Sequence, residues 1–195
     1  MKNLFFSFIA LFAFAFTSSA QSKSETQIRE QVQSYFQATM DKNWDAVMDG
    51  IYPKIFNETP RAQIISMFRD MENRGMDMNF TKMDIEEVSK IEKSGEEKFA
   101  LVSYSSAFTI QFLGEEYHTI EVMNMMEESF YTSYGRENVE FSAEEYLFKI
   151  KAEKQIFAVS DKKSDDWKFI EYTTANSSKM DLYLPLEVRT ALLGE

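Results

Sequence analysis

The chain has 195 residues, with 21 Lys and Arg against 32 Asp and Glu, a single histidine (His118) and no cysteine. A net charge of −11 repels nucleic acid, anionic substrates and anionic membranes, so those partner classes are excluded. Without cysteine there are no disulfides, thiolate metal sites, cysteine nucleophile or lipid-modified cysteine, and one histidine excludes a clustered-histidine metal site.

Residues 1–20 read as a secretory signal. Met1-Lys2-Asn3 supplies a positive start, Leu4 to Phe16 is apolar apart from Ser7, and Thr17-Ser18-Ser19-Ala20 offers small residues ahead of Gln21. The apolar run is shorter than the ~20 residues a bilayer span needs. Cleavage would leave residues 21–195 with 20 basic against 32 acidic side chains, a charge of −12. The expected location is the periplasm or the cell exterior. No later stretch is long and apolar enough to span a membrane, so no integral membrane association is expected. The phenylalanine-rich core and Ala-Gln junction resemble those of exported proteins of the Bacteroidetes.

Ser24 with Gln27 three residues on is a capping-box start for a first helix. Ile28, Val32, Tyr35, Phe36 and Met40 form its apolar stripe. Trp44, Val47, Met48 and Ile51 predict a second helix ended by Gly50 and Pro53. Thr59-Pro60 predicts a third, striped by Ile64, Met67, Phe68 and Met71 and closed by Gly75. From Phe80 the period becomes alternating. Met83, Ile85, Val88 and Ile91 suggest an irregular strand turned by Ser94-Gly95, and Phe99 to Phe112 a long one with Tyr104, Phe108, Ile110 and Phe112 on one face. Thr119 to Tyr134 returns to helical spacing and stops at Gly135. Short strands are expected at Tyr146–Lys151, Ile156–Ser160 and Trp167–Tyr172, with Asp161–Asp166 as a hairpin turn. The tail from Leu182 to Leu193 is expected to pack back as a last helical turn.

Helices first and antiparallel strands afterwards predict an α+β fold: N-terminal helices on a curved antiparallel sheet, with an extra helix inserted near 119–134. With no internal repeat or linker, residues 21–195 are read as one domain. Asn43-Trp44-Asp45-Ala46-Val47-Met48, Tyr52-Pro53-Lys54-Ile55-Phe56 and Trp167-Lys168-Phe169-Ile170-Glu171, in that order, resemble the nuclear-transport-factor-2-like superfamily, which includes ketosteroid isomerases and polyketide cyclases. The resemblance covers about residues 24–173 as element order, and the helix at 119–134 departs from the basic plan. It implies an α+β cone whose helices and sheet enclose a space.

Tyr35, Tyr52, Phe56, Met67, Phe68, Met71, Tyr104, Phe108 and Phe157 are the candidates to line that space, either as a filled core or as a small apolar pocket with tyrosine hydroxyls as polar handles. Asp41, Asn43 and Asp45 match the start of a calcium loop, but Ala46 stands where glycine is needed and Tyr52 where a bidentate glutamate is needed. They read instead as a helix-to-helix turn capped by Asp45. His118, beside Glu115, Glu116 and Tyr117, reads as a solvated loop residue. Asp41, Asp45 and Asp49 read as a solvated face. No catalytic residue, metal or cofactor is assigned, because no phosphate loop or nucleophile triad is present.

The first functional expectation is non-enzymatic binding of a small apolar ligand or a protein partner. The second is a cyclase, isomerase or dehydratase with a buried aspartate as base and a tyrosine as donor. The third is a homodimer paired through the outer sheet face at Leu101, Ser103 and Ser105.

Overall fold

The structure is a computed structural model that describes residues 23–194; the expected signal at 1–20 lies outside them. Helix α1 occupies residues 23–40, so Ser24 is already helical rather than a cap. Its stripe is buried: Ile28, Val32 and Phe36 have no exposed surface. Helix α2 (Trp44–Gly50) is capped by Asn43, whose side chain accepts from the Ala46 amide, and not by Asp45. A 3₁₀ turn, Pro53–Asn57, follows. Helix α3 (Arg61–Asn73) starts one residue after Pro60, which takes the cap position itself, and buries none of its residues.

Among the described residues, six strands form one sheet: β1 (Met76–Val88), β2 (Glu92–Ser94), β3 (Glu97–Phe112), β4 (Val139–Ser142), β5 (Leu147–Asp161) and β6 (Lys168–Tyr172). The order is β1-β3-β5-β4, with β2 also on β3 and β6 also on β5, and every strand pair is antiparallel. The fold is α+β, with the N-terminal helices ahead of the sheet.

Strand β1 begins at Met76, before the expected Phe80. Register shifts between Phe80 and Lys82 and between Ile85 and Glu87 explain why its alternation looked irregular. Each bulge admits an extra residue and bends the strand. Apolar side chains thus stay on one face although their numbering parity changes from Met78 and Phe80 to Met83 and Ile85. Strand β5 is continuous where two short strands were expected. Its middle, Ala152-Glu153-Lys154-Gln155, is too polar to read as strand, yet it pairs with β3 throughout. β4 covers its start and β6 its end, and neither pairs with residues 151–154.

One sheet face carries Ala100, Val102 and Tyr104, then Phe108, Ile110 and Phe112, along β3. Helix α1 packs on the first part of this face. Helix α4 (Ile120–Tyr134), the extra helix, packs on the second through Met123, Phe130 and Tyr134. The other face carries the buried apolar side chains Phe99, Leu101, Phe157, Val159 and Ile170. There a 3₁₀ segment (Thr174–Leu182) and helix α5 (Leu186–Leu193) close over it with Met180, Leu184 and Val188. Leu101 is therefore buried inside the chain and unavailable to the expected dimer face, which retains Ser103 and Ser105. Trp167 is buried with Phe169 on the inner face, and Ile170 lies on the outer one, as alternation predicts. Among the described residues, no helix is long and apolar enough to cross a membrane.

Candidate functional site

The alternation that turns Trp167 and Phe169 inward also turns Glu171 inward, opposite Ile156 of β5. A carboxylate is thereby carried into the face that α1 and α4 cover. Tyr104 of β3 donates its hydroxyl to Glu171 Oε1 at 2.6 Å. Burial raises the Glu171 carboxyl above its ordinary range, against the partial opposition of the Lys154 charge and the Tyr104 hydrogen bond. The residue is nonetheless half-buried rather than sealed. It lines a pocket.

Three tyrosines share this environment. Tyr35 of α1 and Tyr134 of α4 are raised in pKa by burial first and by the Glu171 charge second. Tyr104 is raised by burial, by the Glu171 charge and by its own hydrogen bond to that carboxylate. A phenol beside a buried carboxylate keeps its proton and acts as a donor. Tyr35 also packs on Phe169 with ring centroids 5.2 Å apart.

Two openings flank the end of β6. On one side Tyr35, Ile51, Ile55, Phe169, Met180 and Glu171 line a pocket of about 270 Å³, with Lys179 and Tyr183 also on its wall. On the other side, where residues 151–154 lack a neighbour beyond β5, lies a cleft of about 750 Å³. Its walls include Tyr134, Lys154 and Thr173, and it carries the carboxylates of Glu86, Glu87 and Glu153. The small pocket is mostly aliphatic and aromatic with one desolvated acid, a composition suited to an apolar body with a single polar group.

The expected pocket residues do not surround one space. Tyr35, Tyr104 and Phe108 lie on the inner face, Tyr35 on the small pocket and Tyr104 on Glu171. Phe157 is buried on the opposite face. Tyr52 packs there too; its hydroxyl donates to Glu97 Oε1 at 2.5 Å, and burial and Glu97 raise it to about 12. Phe68 stacks on Trp44 at 4.2 Å between ring centroids. Met67 is 57% exposed. Phe56 and Met71 are half-buried. Met67, Phe68 and Met71 lie on α3, which buries none of its residues, and Phe56 lies on the 3₁₀ turn before it.

Asp41, Asp45 and Asp49 are exposed, with Arg61 bridging Asp45 and Asp49. The buried aspartate base expected for an enzyme is therefore not supplied by any of them. His118 is half-buried instead of solvated: its ring stacks on Tyr146 at 3.7 Å, and Nε2 hydrogen bonds the Phe112 carbonyl at 2.8 Å. Glu171 and Lys154 were missed as site residues, although the alternation through Trp167, Phe169 and Glu171 already marked the first. The chain matches no family model, no curated protein and no solved structure with which it was compared.

Proposed function

We propose that this chain is an exported, nuclear-transport-factor-2-like domain that binds a small, mostly apolar ligand at the end of β6. The observation that carries the reading is Glu171, a desolvated carboxylate hydrogen bonded by Tyr104 at 2.6 Å and still open to a pocket walled by Tyr35, Phe169 and Ile51. Burying a carboxylate costs several kcal/mol unless partners offset it. A sheet that needed only packing would place an aliphatic residue opposite Ile156. The helices-first order and the packing of α1 on one sheet face support the family assignment. The small-residue junction at Ala20-Gln21 supports export, which N-terminal sequencing of the secreted chain would test.

The test of ligand binding is native mass spectrometry of the purified protein after incubation with cell extract. A retained small molecule, displaced when Ile55→Trp fills the pocket, is expected. No retained mass would overturn the reading. Acid–base catalysis is a second reading, favoured by the raised pKa of Glu171 beside a tyrosine donor. Glu171→Gln separates the two: a binder keeps most of its ligand affinity for a neutral molecule, whereas an enzyme loses turnover by about 10²-fold or more. A homodimer through Ser103 and Ser105 would rest on polar side chains, and a light-scattering mass of two chains at micromolar concentration would support it.

A further inference from the structure

The pocket of about 270 Å³ at the end of β6 brings three aromatic rings, those of Tyr35, Phe169 and Tyr183, to the same wall as the Glu171 carboxylate. The rings come from separate elements: Tyr35 from α1, Phe169 from β6, and Tyr183 from the link between the 3₁₀ segment and α5. Tyr35 and Phe169 lie 5.2 Å apart with their planes at 45°, so they form a corner and not a closed stack. Gly50 makes room for the Tyr35 ring, since a Cβ there would come within 2.6 Å of its Cδ2. Rings grouped around a carboxylate are the combination that recognises organic cations, because the faces of aromatic rings are negative.

We infer that this small pocket takes an organic cation, an amine or quaternary ammonium on an apolar body, with its positive centre against Glu171 and the rings. The inference rests on the ligand-binding reading above and adds to it the charge of the guest. A polar group entering here meets a carboxylate and rings already withdrawn from water. A positive charge gains from both, since attraction to a desolvated carboxylate is stronger than in water and ring faces attract cations. A neutral hydrogen-bond donor gains only part of the first. An anion is opposed by both, and by the −11 of the whole chain. Burial, which holds the Glu171 carboxyl above its ordinary range, is the cost that a cationic partner offsets. Tyr183 is raised by burial and then by the charge of Glu58, so a second carboxylate adds to the negative field at this ring. Lys179, also on the wall, is exposed, and its flexible stem lets its ammonium stay in water when a guest enters.

Titration of the purified protein with benzyltrimethylammonium, benzyl alcohol and benzoate, read by calorimetry, tests this in wild type, Glu171→Gln, Tyr35→Leu and Glu153→Gln. The ammonium compound is expected to bind most tightly, to lose about tenfold or more in Glu171→Gln and about threefold in Tyr35→Leu, and to stay within about twofold in Glu153→Gln. Glu153 lines the larger cleft and not this pocket, so its variant separates a local contact from the general acidic field. Circular dichroism confirms that each variant folds, and Tyr35→Leu carries the test if Glu171→Gln does not. Ammonium affinity unchanged in the folded Glu171 or Tyr35 variant overturns the inference, and so does an equal loss in Glu153→Gln. Benzoate binding that disappears in Lys179→Met also overturns it, by making the pocket an anion site. Binding of the alcohol or benzoate without the ammonium removes this inference and leaves the ligand-binding reading standing. Failure of all three probes removes it too, and the retained-mass experiment above then decides the ligand-binding reading alone.

Discussion

Replacing Trp167 with alanine tests how the sheet is held to α1. The indole is 1% exposed, and its neighbours include Ile28, Val32 and Val102 of the same cluster. Truncating a buried tryptophan to alanine costs about 3–5 kcal/mol through lost burial and the cavity left behind. Lys98, itself buried, holds its Nζ 5.0 Å from the ring centre, a contact that adds about 1–2 kcal/mol when desolvated. Against these stands the indole Nε1, buried without a hydrogen-bond partner, a burden of about 1–3 kcal/mol that truncation removes. The last two effects offset, and a loss of about 3–5 kcal/mol remains. For a chain of this length that is a fall in Tm of about 6–20 °C. Trp167→Phe keeps most of the ring and discards the orphaned N–H, so it should cost only about 1 kcal/mol. Urea titration followed by circular dichroism measures both, and Trp44, the other tryptophan, reports on α2 and α3 by fluorescence. A loss below about 1.5 kcal/mol for alanine, or equal losses for the two variants, would refute this accounting.

Glu171 makes stability depend on pH in a stated direction. Its folded-state pKa is raised above 4.5, so its contribution is fully present below that value and is lost as pH rises through the folded-state pKa. Relative to Glu171→Gln, the wild type should therefore weaken as pH rises above about 4.5 in urea titrations; a difference that stays constant as pH rises contradicts it. Gly75→Ala should cost about 2 kcal/mol or more, since its φ of +76° is left-handed and an added Cβ would sit 2.6 Å from the Gly114 amide nitrogen. Near-wild-type thermal stability would show that this turn relaxes freely. Asn43→Ala should cost about 1 kcal/mol as the true cap of α2, while Asp45→Ala and Thr59→Ala should each stay within about 0.5 kcal/mol. The same denaturant assay decides, and a larger loss at Asp45 or Thr59 would return the caps to the residues the sequence favours.

Periodicity alone settled the elements whose burial is one-sided and uninterrupted. The stripe of Ile28, Val32 and Phe36, the even-numbered face of β3 and the segment from Thr119 to Gly135 were legible because local spacing dictates which side chains can share a core. The inward position of Trp167, shared with Phe169, follows from the alternation of its strand. Tertiary structure decided what local spacing does not encode. Residues 152–155 became strand because β3 pairs with them, overriding a polar run that reads as a break. The bulges in β1 were set by the partner strand's register. Most of all, the site depended on which residues from distant segments face one another. Tyr35, Tyr104, Tyr134, Lys154 and Glu171 come from separate elements, and only the stacking of α1 and α4 on one sheet face brings them together. Burial, which raises the Glu171 carboxyl and makes it a candidate for function, is a property of that assembly and not of any stretch of chain.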